Sequence, residues 1–170
     1  MTGLVITGGL IEIDDVKRFL KDLASVSTDY GVTVQAANAN AIAGKGHIEF
    51  AVEKAVESFE QERNLARDLG MEIMLYLRGR RQIEKALEMG LKPGENRVAF
   101  IIVGDRAEKA RPAAESLLDE VDPSVVDYSH AKDGLIMRLF EITPAEVGIV
   151  GPDRVPELVR ERSALLEFEK

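Results

Sequence analysis

Two cationic segments flanked by glycine stand out among the residues able to do chemistry. Arg78-Gly79-Arg80-Arg81-Gln82 lies where one predicted helix ends and another begins. Three guanidinium groups at a helix start, with glycine baring the backbone N–H groups, suit phosphate oxygens through bidentate hydrogen bonds and the helix dipole. The plain alternative is a junction capped by structural arginines. Gly44-Lys45-Gly46 opens a second predicted helix. It is no Walker loop, because Ala39 stands where the leading glycine belongs and Gly46 where the hydroxyl belongs. It is no dinucleotide fingerprint either, since Glu49 takes the place of the third glycine. His47, at the same helix start, reads as a capping or packing residue rather than a base or metal ligand, since only His130 offers a second imidazole. Ser116, Ser129 and Ser163 sit in no nucleophile-elbow pattern.

Composition narrows the chemistry further. The 170 residues include no cysteine, which excludes disulfides, thiol nucleophiles and iron–sulfur clusters. With 45% hydrophobic and 31% charged residues the chain has the balance of a globular protein, and its length fits one domain over residues 1–170. No apolar run reaches 18 residues and no basic stretch precedes the first strand, so a soluble, cytoplasmic protein away from membranes is expected. The formal net charge of −8 argues at first sight against nucleic acid. Its distribution weakens that argument. Residues 73–111 hold 9 Lys+Arg against 5 Asp+Glu, whereas residues 1–72 hold 7 against 12 and residues 112–170 hold 6 against 13. A basic middle segment allows a positive patch on an acidic protein, because local field rather than total charge recruits a polyanion. Solvated arginines paired with nearby glutamates are the bland alternative. At 5% aromatic residues there is no repeated stacking platform, although Tyr76 is close to the arginines.

The positioning elements follow from periodicity. Leu4 to Ile13 predicts a strand with a possible bulge at Gly8-Gly9. Asp14-Asp15 caps a helix through Val16, Phe19, Leu20, Leu23 and Val26. Val32 to Ala37 reads as a second strand and Asn38 to Gly46 as a loop. Ile48, Ala51, Val52, Ala55, Val56 and Phe59 form the stripe of a helix from His47. After a break at 61–64, helices are expected over 65–77 and 80–89, with Gly79 between them and Gly90 as a stop. Pro93-Gly94 reads as a turn. Val98 to Val103 is a continuous apolar run, as in a strand buried on both faces. A helical region over 105–121 kinks near Pro112, another covers Leu135 to Ile142, and Val147 to Val150 is left as strand or loop. A last helix runs from Pro156 to Phe168. The whole reads as α/β, a single domain with a small mixed β-sheet packed by several helices.

The order of motifs in the middle of the chain resembles a known family. The motifs are Val34-Gln35-Ala36-Ala37-Asn38-Ala39-Asn40-Ala41-Ile42-Ala43-Gly44, then His47-Ile48 with Ala51 and Lys54-Ala55, then Glu72-Ile73-Met74-Leu75-Tyr76. Gly79-Arg80-Arg81-Gln82-Ile83, Ala86-Leu87 and Gly90-Leu91 follow. Together they resemble the small regulatory subunit of the KEOPS complex, the family that includes the PRPK-binding protein. The likeness is closest over residues 30–105, and the compact chain is similar to the archaeal form.

That resemblance implies a protein with no catalytic activity and no cofactor of its own. It implies binding to the N-terminal lobe of the small kinase-like ATPase of KEOPS, with the other KEOPS subunits reached indirectly. It also implies a tRNA held by its single-stranded 3′ CCA end, for a complex that makes threonylcarbamoyl-adenosine. Onto this sequence the tRNA contacts are expected at Arg78, Arg80 and Arg81, joined by Lys45 and His47 if the two junctions lie together. The kinase contact is expected on the last helix, at Leu158, Val159, Leu165 and Leu166, although a terminal helix with such a stripe can equally close the chain's own core. Two other readings stay open. One is an adaptor for protein only, with structural arginines. The other is a small enzyme using His47 or an acidic pair in a deep pocket.

Overall fold

A computed structural model of the chain describes residues 3–168. Its elements are β1 (Leu4–Ile13), α1 (Val16–Tyr30), β2 (Thr33–Asn38), α2 (Lys45–Glu60), α3 (Leu69–Arg78), α4 (Ile83–Ala86), β3 (Gly94–Val103), α5 (Ala107–Glu115), β4 (Glu120–Val121), α6 (Asp133–Leu139), α7 (Pro144–Val150) and α8 (Val155–Leu165). Among the described residues no helix is long and apolar enough to cross a membrane. They fall into two compact units. One runs to Ala39 and resumes over Gly90–Val126; the other comprises Asn40–Met89 and the chain from Asp127.

The first unit is a four-stranded sheet in the order β2-β3-β1-β4. The α/β class and the small helix-packed sheet are as expected, but the sheet is antiparallel throughout rather than mixed. The reason lies in β3. The succession β1-α1-β2 suggests a parallel pair, yet β3 inserts between β1 and β2 and runs against both. The apolar run predicted to be buried on both faces is thus a central strand. Val98, Phe100 and Ile102 of β3 pack with Phe19, Leu23 and Val26 of α1 and with Ala107, Ala110 and Ala114 of α5. The register of β1 on β3 is unbroken from Leu4↔Val103 to Ile13↔Gly94, so Gly8 and Gly9 make no bulge. They permit close approach instead: a Cβ would meet Val98 O at 2.2 Å on Gly8 and Glu120 O at 2.0 Å on Gly9.

The second unit is helical. Its core is Ile48, Ala51, Val52 and Ala55 of α2, Ile73, Leu75 and Leu77 of α3, Ile136 and Phe140 from α6 and its cap, and Val155, Leu158 and Val159 of α8. Several boundaries differ from expectation for local reasons. α3 begins at Leu69, because Asp68 caps it by accepting from Met71 N–H and Glu72 folds back to accept from Leu65 N–H and Ala66 N–H. The helix expected over 80–89 shrinks to Ile83–Ala86 followed by a 3-10 turn. The end of the 105–121 region turns into β4. The segment left as strand or loop is α7, started by Pro144 and a capping box between Thr143 and Glu146.

Candidate nucleic-acid and partner interface

The two glycine-flanked junctions of the helical unit meet, and His47 joins them. Its Nδ1 accepts from Ala43 N–H at 3.0 Å, and its Nε2 donates to the Leu77 carbonyl at 2.9 Å. The ring is buried, with its edge toward Phe140. Burial, with help from the nearby Lys132 charge, pushes its pKa down to about 4, so the imidazole is neutral at physiological pH. The expectation that His47 touches phosphate is therefore corrected: both ring nitrogens are engaged and neither faces solvent. It is a positioning residue, as the packing reading anticipated. Lys132, also buried, donates to the Ile42 carbonyl at 3.0 Å. Together they fix the buried Ala41-Ile42-Ala43 loop, whose backbone groups need partners away from water.

The arginines sit at the end of α3 rather than at the start of a helix, because α4 does not begin until Ile83. The dipole argument accordingly reverses: the last carbonyls of α3 favour these cations and lend nothing to an anion. Gly79 is the left-handed cap at φ 73°, with its N–H on the Leu75 carbonyl at 2.7 Å. A Cβ there would stand 2.9 Å from the Arg162 carbonyl oxygen and 3.3 Å from Ser163 Cα, so α8 packs backbone to backbone on this turn. Arg160, two residues earlier, places Nη1 3.9 Å from where a Cβ on Gly46 would lie. At 1.5 Å rise per residue, both junctions therefore touch α8 within about one turn.

The predicted cations have different fates. Arg78 is buried, donates from Nε to Glu88 at 2.9 Å and lies over the Phe140 ring, so it is a structural arginine. Arg80 is half-buried, with Nη2 3.1 Å from Glu141. Arg81 and Lys45 are exposed and in no ion pair among the described residues. The positive segment is divided between the two units. Arg78, Arg80, Arg81 and Lys85 belong to the helical unit, whereas Lys92, Arg97, Arg106, Lys109 and Arg111 belong to the sheet unit. Sequence reasoning missed Arg160 and Arg162. Arg162 donates to both Glu146 oxygens at 2.8 Å and to the Phe140 and Glu141 carbonyls. That pairing, with the Thr143 amide, holds the Glu146 carboxyl below the usual carboxylate range. Arg78, Gly79, Arg80, Phe140, Glu141, Arg162 and Leu165 line a hollow of about 190 Å³.

The expected kinase stripe divides likewise. Leu158, Val159 and Leu166 are buried in the chain's own core, and that part of the expectation is corrected. The helical period places Leu158 and Val159 on the inward face of α8, and Leu166 follows in the 3-10 turn that closes it. Leu165 is 49% exposed. Ile149, Val150 and Phe168 are further exposed apolar residues, and α7 buries none of its seven. The end of α8 is anchored by Glu167, which accepts from the buried Tyr76 hydroxyl, itself 3.1 Å from Ser58 Oγ. Burial and that carboxylate push the Tyr76 hydroxyl well above its ordinary pKa.

A family model described as kinase binding protein CGI-121 matches residues 11–165. The chain is also 30% identical over 141 residues to the regulatory protein Cgi121 of Methanocaldococcus jannaschii, covering 82% of this chain and 87% of that one. Both agree with the resemblance carried by the motifs from Val34 to Leu91. The chain belongs to the CGI-121 family of kinase-binding proteins.

Proposed function

We propose that this protein is a non-catalytic adaptor of the KEOPS complex, which binds the small kinase-like ATPase and holds tRNA by its 3′ CCA end. The observation that carries the RNA half is the meeting of the two cationic junctions through His47 and α8. Of the cations at these junctions, Lys45, Arg81 and Arg160 are exposed and Arg80 is half-buried. Several cations carried by adjoining junctions suit a flexible phosphate-bearing strand, and no catalytic constellation is needed for it. The kinase half rests on the family and on the apolar residues left exposed on α7, at Leu165 and at Phe168. An amphipathic helical surface of this kind fits the groove of a partner.

The protein-only adaptor has an observation in its favour, namely that Arg78, Arg80 and Arg162 are each paired with a carboxylate. Salt dependence separates the two readings. With the chain alone and a tRNA probe, Arg80→Glu with Arg81→Glu should weaken binding and flatten log K against log salt by about 1.4, two phosphate contacts at about 0.7 each. Unchanged affinity and slope would leave the arginines structural and the adaptor a protein-only one.

A further inference from the structure

The hollow beside Gly79 carries more carboxylate than a phosphate site needs. Each arginine in its wall is paired: Arg78 with Glu88 at 2.9 Å, Arg80 with Glu141 at 3.1 Å and Arg162 with Glu146 at 2.8 Å. The three carboxylates are not equivalent. Glu88 is 40% exposed and answers an arginine buried against Phe140. Glu146 is 33% exposed, is gripped through both oxygens and also accepts from the Thr143 amide. Glu141 is 76% exposed and makes one side-chain contact, to Arg80. Of the three it alone lines the hollow. Its backbone is held at φ 53°, in the left-handed region, while Arg162 donates to its carbonyl at 3.3 Å.

We propose that Glu141 is an internal competitor for Arg80: its carboxylate occupies the guanidinium in the free protein and gives way to a phosphate oxygen of the incoming RNA. This rests on the RNA reading above and assigns the regulation of that same site. An oxyanion of either kind satisfies the same fork of N–H donors, so the exchange conserves hydrogen bonds. A partly exposed ion pair of this type is worth little, which makes it displaceable and bounds the effect. Removing the competitor should tighten binding about two- to fivefold, the range that such a pair's worth spans. Glu88 and Glu146 hold structure together; Glu141 tunes affinity.

The test is a double-mutant cycle with a short single-stranded RNA ending in CCA, measured by fluorescence anisotropy at low salt. Glu141→Gln keeps the side-chain size and the backbone contact to Arg162, and thermal melts check that each variant folds. Glu141→Gln should bind the RNA two- to fivefold more tightly than the wild type. Arg80→Gln should bind more weakly, and in that background Glu141→Gln should add nothing. Unchanged affinity in Glu141→Gln, with Arg80→Gln still weakened, overturns the competitor and leaves the RNA site standing. Equal tightening in both backgrounds makes the effect one of net charge and also overturns it. If neither the wild type nor Glu141→Gln binds the RNA, the site reading falls and the competitor with it.

Discussion

The sheet unit and the helical unit bury different things. Among the described residues the sheet unit buries one polar side chain, Thr7, whereas the helical unit buries His47, Ser58, Glu72, Arg78, Lys132 and Ser163. A core of β-branched and aromatic residues gains stability in proportion to apolar area and holds no group that titrates. Buried polar groups act otherwise. Ser163 Oγ excepted, they are hydrogen-bonded, and those that bond to a loop specify where it lies. Glu72 fixes the turn at Leu65 and Ala66; His47 and Lys132 fix the loop before α2; Arg78 fixes the α3 cap. The last two of these lead into Lys45 and into Arg80 and Arg81. One unit is an apolar frame; the other adds to its apolar core buried polar groups that fix its loops.

The largest effect expected from breaking this contrast is in the frame. Phe100 is fully buried and stacks on Phe19 at 6.3 Å between centroids. Phe100→Ala should cost about 3–5 kcal/mol in chemical denaturation, and the cost should be the same at pH 5 and pH 7.

The helical unit should answer to pH instead. The His47 imidazole takes a proton near 6.5 when unfolded but only near 4 when folded. Between those values the unfolded chain binds a proton that the folded chain does not. The stability is thus fully present above 6.5 and is lost as pH falls toward 4, by about 3 kcal/mol. Hydrogen exchange should show α2 and α3 losing protection over this window while β3 keeps it, and His47→Gln should flatten the profile. Equal loss in both units would erase the contrast.

The smallest stability effect belongs to the proposed docking surface. Ile149→Glu with Leu165→Glu alters exposed side chains and should change stability by less than about 0.5 kcal/mol, yet abolish co-elution with the kinase. Loss of folding would place these residues in the protein's own core.

Much of the frame was legible in the sequence, and the reasons are local. Leu4–Ile13, α1, β2 and the core of β3 follow from apolar spacing and from Asp15 as a cap. The insertion of β3 between β1 and β2 was not legible, because strand order depends on contacts remote in sequence. For α7 the sequence carries a capping-box signature, Thr143-Pro144-Ala145-Glu146, masked by the β-branched run that follows it. At the site, the glycine-flanked cations picked out two junctions that adjoin in the fold. Which cations are free did not follow, since Arg78 and Arg80 are answered by Glu88 and Glu141, 10 and 61 residues away. Arg160 and Arg162 reach the junctions only because Gly79 lets the α8 backbone come close, and no motif announces that. On α8 the period groups Leu158, Val159 and Leu166 but not Leu165, and periodicity cannot tell an inward stripe from an outward one.

The central claim is that the meeting of the α2 and α3 junctions holds the 3′ end of tRNA. The most direct measurement is binding of the isolated chain to tRNA with and without its CCA end, at one fixed salt concentration. Removing CCA should weaken binding of the wild type and make no further difference to Arg80→Glu with Arg81→Glu. Equal affinity for the two RNAs, or a CCA preference that survives the double substitution, would contradict it.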